Sequence, residues 1–200
     1  MLKILIKVYR VLKYFMKELL KEIMYIKSGV FSKGDANPDV YYVQATDFNE
    51  DREWAGTSSP ILSNSPKLKK HFLLKGDILF AAKGKEFFAV VYDGSYQPAV
   101  ASTTFLVMQL KTNNVKPEYV AWFLNHAKTQ AFLQGVAKGT AIKSVTISII
   151  EKIEIFIPDY TKQLTILELF NLQKKEKFLQ NEISQLRQNY YNELIFKAIK

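Results

Sequence analysis

Side chains able to do covalent chemistry are few in this 200-residue chain. There is no cysteine, which excludes disulfides and thiolate metal sites and fits a reducing cytoplasm. The two histidines are His71 and His126, so a zinc site would rest mainly on carboxylates. His71 lies in a basic stretch and His126 follows Asn125 in a helical pattern. Neither adjoins a Ser–Asp arrangement of the kind that activates a nucleophile, and both read as surface or helix-end residues. A common type of metal-dependent nuclease places a carboxylate two residues before a lysine, so that both face one metal-bound water. No Asp or Glu here is followed by x-Lys, which leaves Pro158-Asp159 as a strand end. Lys83-Gly84-Lys85 lacks the spaced glycines and the Lys-Ser/Thr ending of a phosphate loop.

Asn37-Pro38-Asp39-Val40 departs from the Asn-Pro-Pro-aromatic motif of amino-methyltransferases. It has neither the second proline nor the aromatic, no glycine-rich cofactor turn precedes it, and it reads as an ordinary turn. Binding chemistry is better represented. The net charge is +9, and its distribution is uneven. Residues 28–66 hold 2 basic and 6 acidic groups, whereas residues 67–143 hold 11 and 4. One segment is therefore clearly basic, which suits a polyanion as well as a solvated surface.

The elements that would position these groups follow from periodicity. Leu5, Val8, Leu12, Phe15, Leu19, Ile23 and Ile26 fall at three- and four-residue spacings, which predicts an amphipathic helix over residues 2–26. Packed on protein it forms a narrow seam; laid on a membrane surface it presents its lysines outward. Gly29, Gly34 and Pro38 break that pattern. Short β-rich runs follow at Val40–Ala45, Ile78–Ala82, Phe87–Tyr92 and Thr104–Leu110, separated by turns such as Lys75-Gly76-Asp77 and Asp93-Gly94-Ser95. The polar stretch Asn49–Lys70 is long for a plain connection. A helix is predicted from Pro117 to about Gln134, a short one through Ile150 capped by Ser144 or Thr146, and a strand over Ile153–Ile157.

From Thr161 onward there is no Gly or Pro. A helix of that length extends ~55–60 Å at ~1.5 Å per residue. Leu172, Leu179 and Leu186 repeat every seven residues, with Ile183 and Tyr190 at the complementary position, as in a coiled-coil seam. Such a helix needs a partner. The predicted fold is thus mixed α/β (α+β), divided into an N-terminal helix (1–27), a globular domain (28–160) and a long coiled-coil helix (161–200). No apolar run reaches the ~20 uncharged residues that span a bilayer. The first twenty residues lack a signal-peptide cleavage site.

Several segments, in fixed order, resemble the specificity (S) subunits of type I restriction–modification systems. Leu74-Lys75-Gly76-Asp77-Ile78-Leu79-Phe80-Ala81 with Lys83-Gly84 is similar to that family's "GD-I/V-L-F-A-x-x-G" hairpin. Ala101-Ser102-Thr103-Thr104-Phe105 resembles its Ser/Asn-Phe strand start. Pro117-Glu118-Tyr119-Val120-Ala121-Trp122-Phe123-Leu124-Asn125 resembles "P-E-Y-L-x-x-x-L-N". Gly139-Thr140-Ala141 through Ile155-Phe156-Ile157-Pro158 is similar to the "G-T-x-Q" segment that ends in "I-x-I-P". Two departures stand out: the second glycine usual after Gly84 is replaced near Phe87, and Glu-Glu-Gln before the long helix is Thr161-Lys162-Gln163.

The resemblance covers residues 20–200 and implies a non-catalytic, cytoplasmic target recognition domain that reads double-stranded DNA. Full-length members carry two such domains and two long helices. This sequence has one of each, which implies a half-length subunit pairing as a homodimer through antiparallel helices to read a bipartite target. By the same resemblance, S-adenosylmethionine, ATP and Mg belong to partner subunits, an adenine-N6 methyltransferase and a restriction/translocase subunit. For phosphate contacts the expected residues are Lys67, Lys69, Lys70, Lys83, Lys85, Lys138 and Lys143. For base edges they are Gln44, Thr46, Asn49, Arg52, Ser102, Thr103 and Thr140. The rival readings are a protein-interaction adaptor whose coiled coil is the function, and a membrane-surface protein using the basic N-terminal helix.

Overall fold

The computed structural model describes residues 17–35, 37–56, 59–137 and 143–199. The chain divides into two units, residues 1–160 and 161–200. The first is a mixed α/β domain. Its main layer is a four-stranded antiparallel sheet in the order β2-β7-β4-β5, comprising β2 (Met24–Ser28), β4 (Ile78–Ala81), β5 (Phe88–Val91) and β7 (Phe105–Leu110). A short parallel pair, β3 (Tyr41–Val43) with β6 (Ala99–Ala101), forms a second layer. An antiparallel pair joins β1 (Lys17–Leu19) to β8 (Glu154–Phe156).

Strand β4 organises the sheet. All four of its side chains are buried, and it pairs with β5 on one edge and β7 on the other. Its run Ile-Leu-Phe-Ala is continuously apolar because both faces are covered. Leu79 and Ala81 pack with Val90, Phe105, Val107 and the β3–β6 residues Val43, Ala99 and Ala101. The turn entering β4 explains the Gly76-Asp77 pair. Gly76 has φ +93°, a left-handed conformation that favours glycine. The buried Asp77 accepts the Leu74 N–H at 3.0 Å and the Gln109 amide at 3.0 and 3.1 Å, tying the turn to β7.

The helices are α1 (Leu20–Ile23), α2 (Pro66–Lys69), α3 (Pro117–Asn125), α4 (Ala127–Val136), α5 (Ile147–Ile150) and α6 (Tyr160–Ala198). Helix α3 starts on Pro117 and buries Tyr119, Val120, Ala121 and Leu124. Its last residue closes the exposed edge of β5: Asn125 Nδ2 donates to the Ala89 carbonyl at 2.7 Å, and Asn125 Oδ1 accepts the Ala89 N–H at 2.9 Å. One amide side chain thus stands in for a fifth strand. The Tyr119 hydroxyl donates to the Phe156 carbonyl at 2.7 Å, fastening α3 to β8.

Two expectations are corrected, and one strand was not foreseen. The amphipathic helix predicted over 2–26 is not what residues 17–26 form. Residues 17–28 form β1, one turn of helix and β2, and residues 1–16 lie outside the described residues. The periodicity is real but local. Leu20 and Ile23 are buried through the single turn, after which Tyr25, Ile26, Lys27 and Ser28 satisfy their backbone on β7. The helix predicted from Pro117 to Gln134 is two, broken at His126, whose ψ of 141° is extended. Gln130 Nε2 caps the break by donating to the Leu124 carbonyl at 2.7 Å. Strand β6 is absent from the sequence reading, because Ala-Val-Ala carries little β signal of its own.

Helix α6 contains 39 residues. Leu172, Leu179, Ile183, Leu186 and Tyr190 are each between 47% and 67% exposed in the single chain. No helix among the described residues is long and apolar enough to cross a membrane.

Two stability outcomes follow. Replacing Asn125 with Ala strips both partners from Ala89 and should lower unfolding stability by about 1–3 kcal/mol, read as a fall in the urea midpoint. Asn125→Asp should do no better at neutral pH, since it sets a carboxylate against the Ala89 carbonyl. Burial raises the Asp77 pKa above its ordinary value, opposed by the Leu74 and Gln109 hydrogen bonds and the field of Lys27. A raised folded-state value means the stability linked to Asp77 is full below its unfolded pKa and declines as pH rises through the folded one. Asp77→Asn keeps both hydrogen bonds if the Gln109 amide flips. Its stability relative to wild type should therefore climb as pH rises above the ordinary aspartate range. A pH-independent difference in urea melts would remove Asp77 as its source.

Candidate nucleic-acid interface

The loops at one end of the sheet converge through backbone hydrogen bonds. The loop leaving β4 carries Lys83, Gly84 and Lys85. Gly84 N–H donates to the Lys143 carbonyl at 3.1 Å, Val145 N–H to the Ala82 carbonyl at 2.8 Å, and Ala82 N–H to the Thr104 carbonyl at 2.9 Å. Lys83 also bridges Ser144. At the same end, Ser102 N–H donates to the Val43 carbonyl at 2.8 Å, which brings in the segment that follows β3. The exposed lysines Lys83, Lys85 and Lys143 are thus gathered by main-chain pairing between segments sixty residues apart in sequence. Lys143 Nζ is anchored by donating to Gln134 Oε1 at 3.0 Å.

Residues 44–56 form the most elaborate loop at this end. Gln44 and Thr46 are exposed, and Asp47 closes a single turn of 3-10 helix (Ala45–Asp47) by accepting the Gln44 N–H at 2.7 Å. A tight hairpin follows, with Phe48 bridged to Trp54. Its base is aromatic. Phe48 meets Trp54 edge-on at 5.4 Å, and Phe88 and Phe105 at 5.9 and 6.0 Å, while Trp54 stacks on Tyr96 at 4.7 Å. Its tip is Asn49-Glu50-Asp51-Arg52.

The expected contact residues separate into groups. Asn49 is a turn-former: its side-chain oxygen accepts the Glu53 N–H at 2.8 Å. A bidentate grip on adenine uses both ends of the amide, so Asn49 would have to release the turn to make one. Ser102 is buried, and its Oγ has no hydrogen-bond partner among the described residues. Backbone packs tightly there, since a Cβ on Gly29 would meet the Ser102 carbonyl oxygen at 2.0 Å. Ser102 therefore shapes the end of β6 rather than facing outward. Thr103, next to it, is half-buried. Lys138 and Thr140 lie outside the described residues.

Lys67, Lys69 and Lys70 belong to a different element. Ser65 caps α2 by accepting the Leu68 N–H, and Leu68 and Phe72 pack on Val40, Leu62 and Val100. Leu73 N–H donates to the Ala99 carbonyl at 2.8 Å, which ties this segment to the start of β6, whereas the Lys83 loop gathers at its end. Next to Lys70, His71 is half-buried, and burial, Lys70 and Lys27 all lower its pKa. His126 stands between α3 and α4, accepting the Lys128 N–H at 3.3 Å. Among the described residues no group of three or more His, Cys, Asp or Glu could hold a metal ion. Sequence reasoning passed over Glu86, an acid beside Lys85 whose charge acts on Arg52.

The sequence pattern of the "Type I restriction modification DNA specificity domain" matches residues 15–188. A comparison with curated protein sequences finds no match. Among solved structures, the fold is similar to a type I restriction–modification S subunit from M. genitalium, with TM-score 0.54 and 13% identity over 80% of this chain and 39% of that one. It is also similar to the HsdS subunit of Thermoanaerobacter tengcongensis, with TM-score 0.51 and 13% identity over 80% and 37%. A chain from work on complex assembly and conformational transition of the type I R-M system matches with TM-score 0.51 and 12% identity over 80% and 38%. The chain spans about two fifths of the length of these structures.

Neutralising Lys83, Lys85 and Lys143 together, each to Gln, should weaken duplex DNA binding uniformly across sequences. The slope of log affinity against log salt should become shallower by about 0.9 for each phosphate no longer neutralised. Titrations with an unchanged slope would take these three lysines off the backbone.

Proposed function

Because the chain belongs to the family of type I restriction–modification DNA specificity domains, we propose that it reads one half of a bipartite DNA target. In this reading it also holds the methyltransferase and endonuclease subunits in register on that target. The observation that carries the DNA half is the convergence of Lys83, Lys85 and Lys143 on one end of the sheet, beside the polar 44–56 loop. Lysines there would position the domain on phosphates, and the loop would meet base edges.

The second half of the target would be read by a second copy. The seam of Leu172, Leu179, Ile183, Leu186 and Tyr190 supports pairing, because an isolated helix gains little from exposed apolar residues. An antiparallel pair relates the two copies by a two-fold axis and places a recognition domain at each end. The helix length, ~58 Å at ~1.5 Å per residue, then sets the distance between half-sites. A two-fold dimer reads a two-fold symmetric, interrupted sequence. Methyl transfer, ATP-driven translocation and cleavage, with S-adenosylmethionine, ATP and Mg, would reside on the adenine methyltransferase and restriction subunits. This chain supplies address rather than chemistry.

Two measurements on the purified protein test this reading. Light scattering at micromolar concentration should give a mass near twice 23.1 kDa, and a monomer would remove the paired-helix arrangement. Selection from a pool of randomised duplexes should enrich a symmetric motif interrupted by an unspecified spacer. Enrichment of no motif would favour the rival in which the helix is the function and the domain binds protein.

A further inference from the structure

Arg52 is the only residue other than glycine with a positive φ, +63°, among the described residues. It closes the tip of the Phe48–Trp54 hairpin. Its N–H donates to the Asn49 carbonyl at 2.9 Å, and Asn49 N–H donates to the Glu53 carbonyl at 2.9 Å. This is a type I turn followed by a left-handed residue, a position where glycine or asparagine relieves the crowding that any longer side chain suffers. An arginine in that place sacrifices local stability, and such exceptions cluster where function requires the side chain.

The hairpin that carries Arg52 is also fixed at its base. Phe48 clamps that base against Phe88 at the start of β5, with ring centroids 5.9 Å apart. Arg52 is half-buried; burial lowers its pKa from the ordinary value and the charge of Glu86 opposes that shift. The surrounding lysines have no such arrangement: Lys83 and Lys85 are exposed on a loop. A flexible lysine suits a phosphate as a point charge, whereas the planar fork of arginine can also meet the O6 and N7 acceptors of guanine together.

We propose that Arg52 is a specificity-determining residue that grips a guanine edge in the major groove. This rests on the DNA-reading function proposed above. It assigns different work to neighbouring cations: the lysines fix the domain on the backbone, and Arg52 selects the base.

The informative variant is Arg52→Gly, because glycine relieves the turn and the fold should keep or raise its urea midpoint. Affinity for a random-sequence duplex should stay within about threefold of wild type, since the phosphate contacts remain. In selection from randomised duplexes, the variant should lose a guanine at one position of each half-site while the other positions persist. Discrimination there should fall about 10- to 100-fold. An Arg52→Gly protein that selects the wild-type motif with undiminished discrimination overturns the proposal. So does one that loses affinity equally for all sequences, which would make Arg52 a phosphate contact. A wild-type protein that enriches no motif overturns the DNA reading and this inference together.

Discussion

Strand β4 holds the domain together by having no free side. Its two faces are buried and its two edges are paired, so its ends can only be where β5 and β7 allow. At one end Asp77 locks the turn to Gln109 of β7. At the other, the chain must leave the sheet beside the start of β7, and there it throws out Lys83 and Lys85. The position of the basic loop is therefore a consequence of core packing. Both lysine side chains are exposed, yet the loop has little freedom, because Ala82 and Gly84 are hydrogen-bonded on the main chain. Rigid scaffold and exposed charge are supplied by adjacent residues of one segment.

The same division explains which parts of the sequence were legible. Among the described residues, the segments carrying the family resemblance hold side chains with structural tasks. Gly76 and Asp77 make the turn, Asn125 closes the edge of β5, and Tyr119 ties α3 to β8. These tasks depend on one residue type at one place, so they leave a readable signature. The long helix was legible for a simpler reason: nearly forty residues without Gly or Pro, with a seven-residue apolar repeat, have few other outcomes. The N-terminal pattern misleads because apolar spacings of three and four also arise when one helical turn is followed by a strand. Leu20, Ile23 and Met24 are all buried, through two kinds of structure. Local periodicity could not reveal that β7 was waiting to pair with residues 24–28.

The site was less legible than the fold. The basic segment 67–143 looks continuous in sequence, but Lys67, Lys69 and Lys70 ride on one element and Lys83, Lys85 and Lys143 gather at another, near opposite ends of β6. Sequence distance misleads in both directions here, since Lys143 lies far along the chain from Lys83 yet pairs with its loop. Among the polar candidates, type alone could not separate a residue that faces outward from one that builds the loop. Asn49 and Ser102 have the chemistry of base readers. One is engaged in its own turn and the other is enclosed beneath the loops.

Departures from local rules gather at this end of the sheet. Among the described residues, Arg52 sits in a glycine-like conformation, and Ser102 Oγ, Trp54 Nε1 and, beside the α2 lysines, His71 Nδ1 are buried without a partner. In the core, by contrast, pattern, pairing and burial agree: the Ile78–Ala81 run is apolar, paired on both edges and fully enclosed. A sequence under selection for stability alone would remove the exceptions, and glycine at position 52 would be an easy change. Three of these four exceptions lie on the 44–56 hairpin and the end of β6, the region that carries the proposed contacts. The clamp of Phe48 on Phe88 and Phe105 makes this tolerable. It anchors the hairpin from below with aromatic contacts, so its tip can carry residues that the backbone disfavours without loosening β4. A recognition domain built this way can change its tip and keep its core.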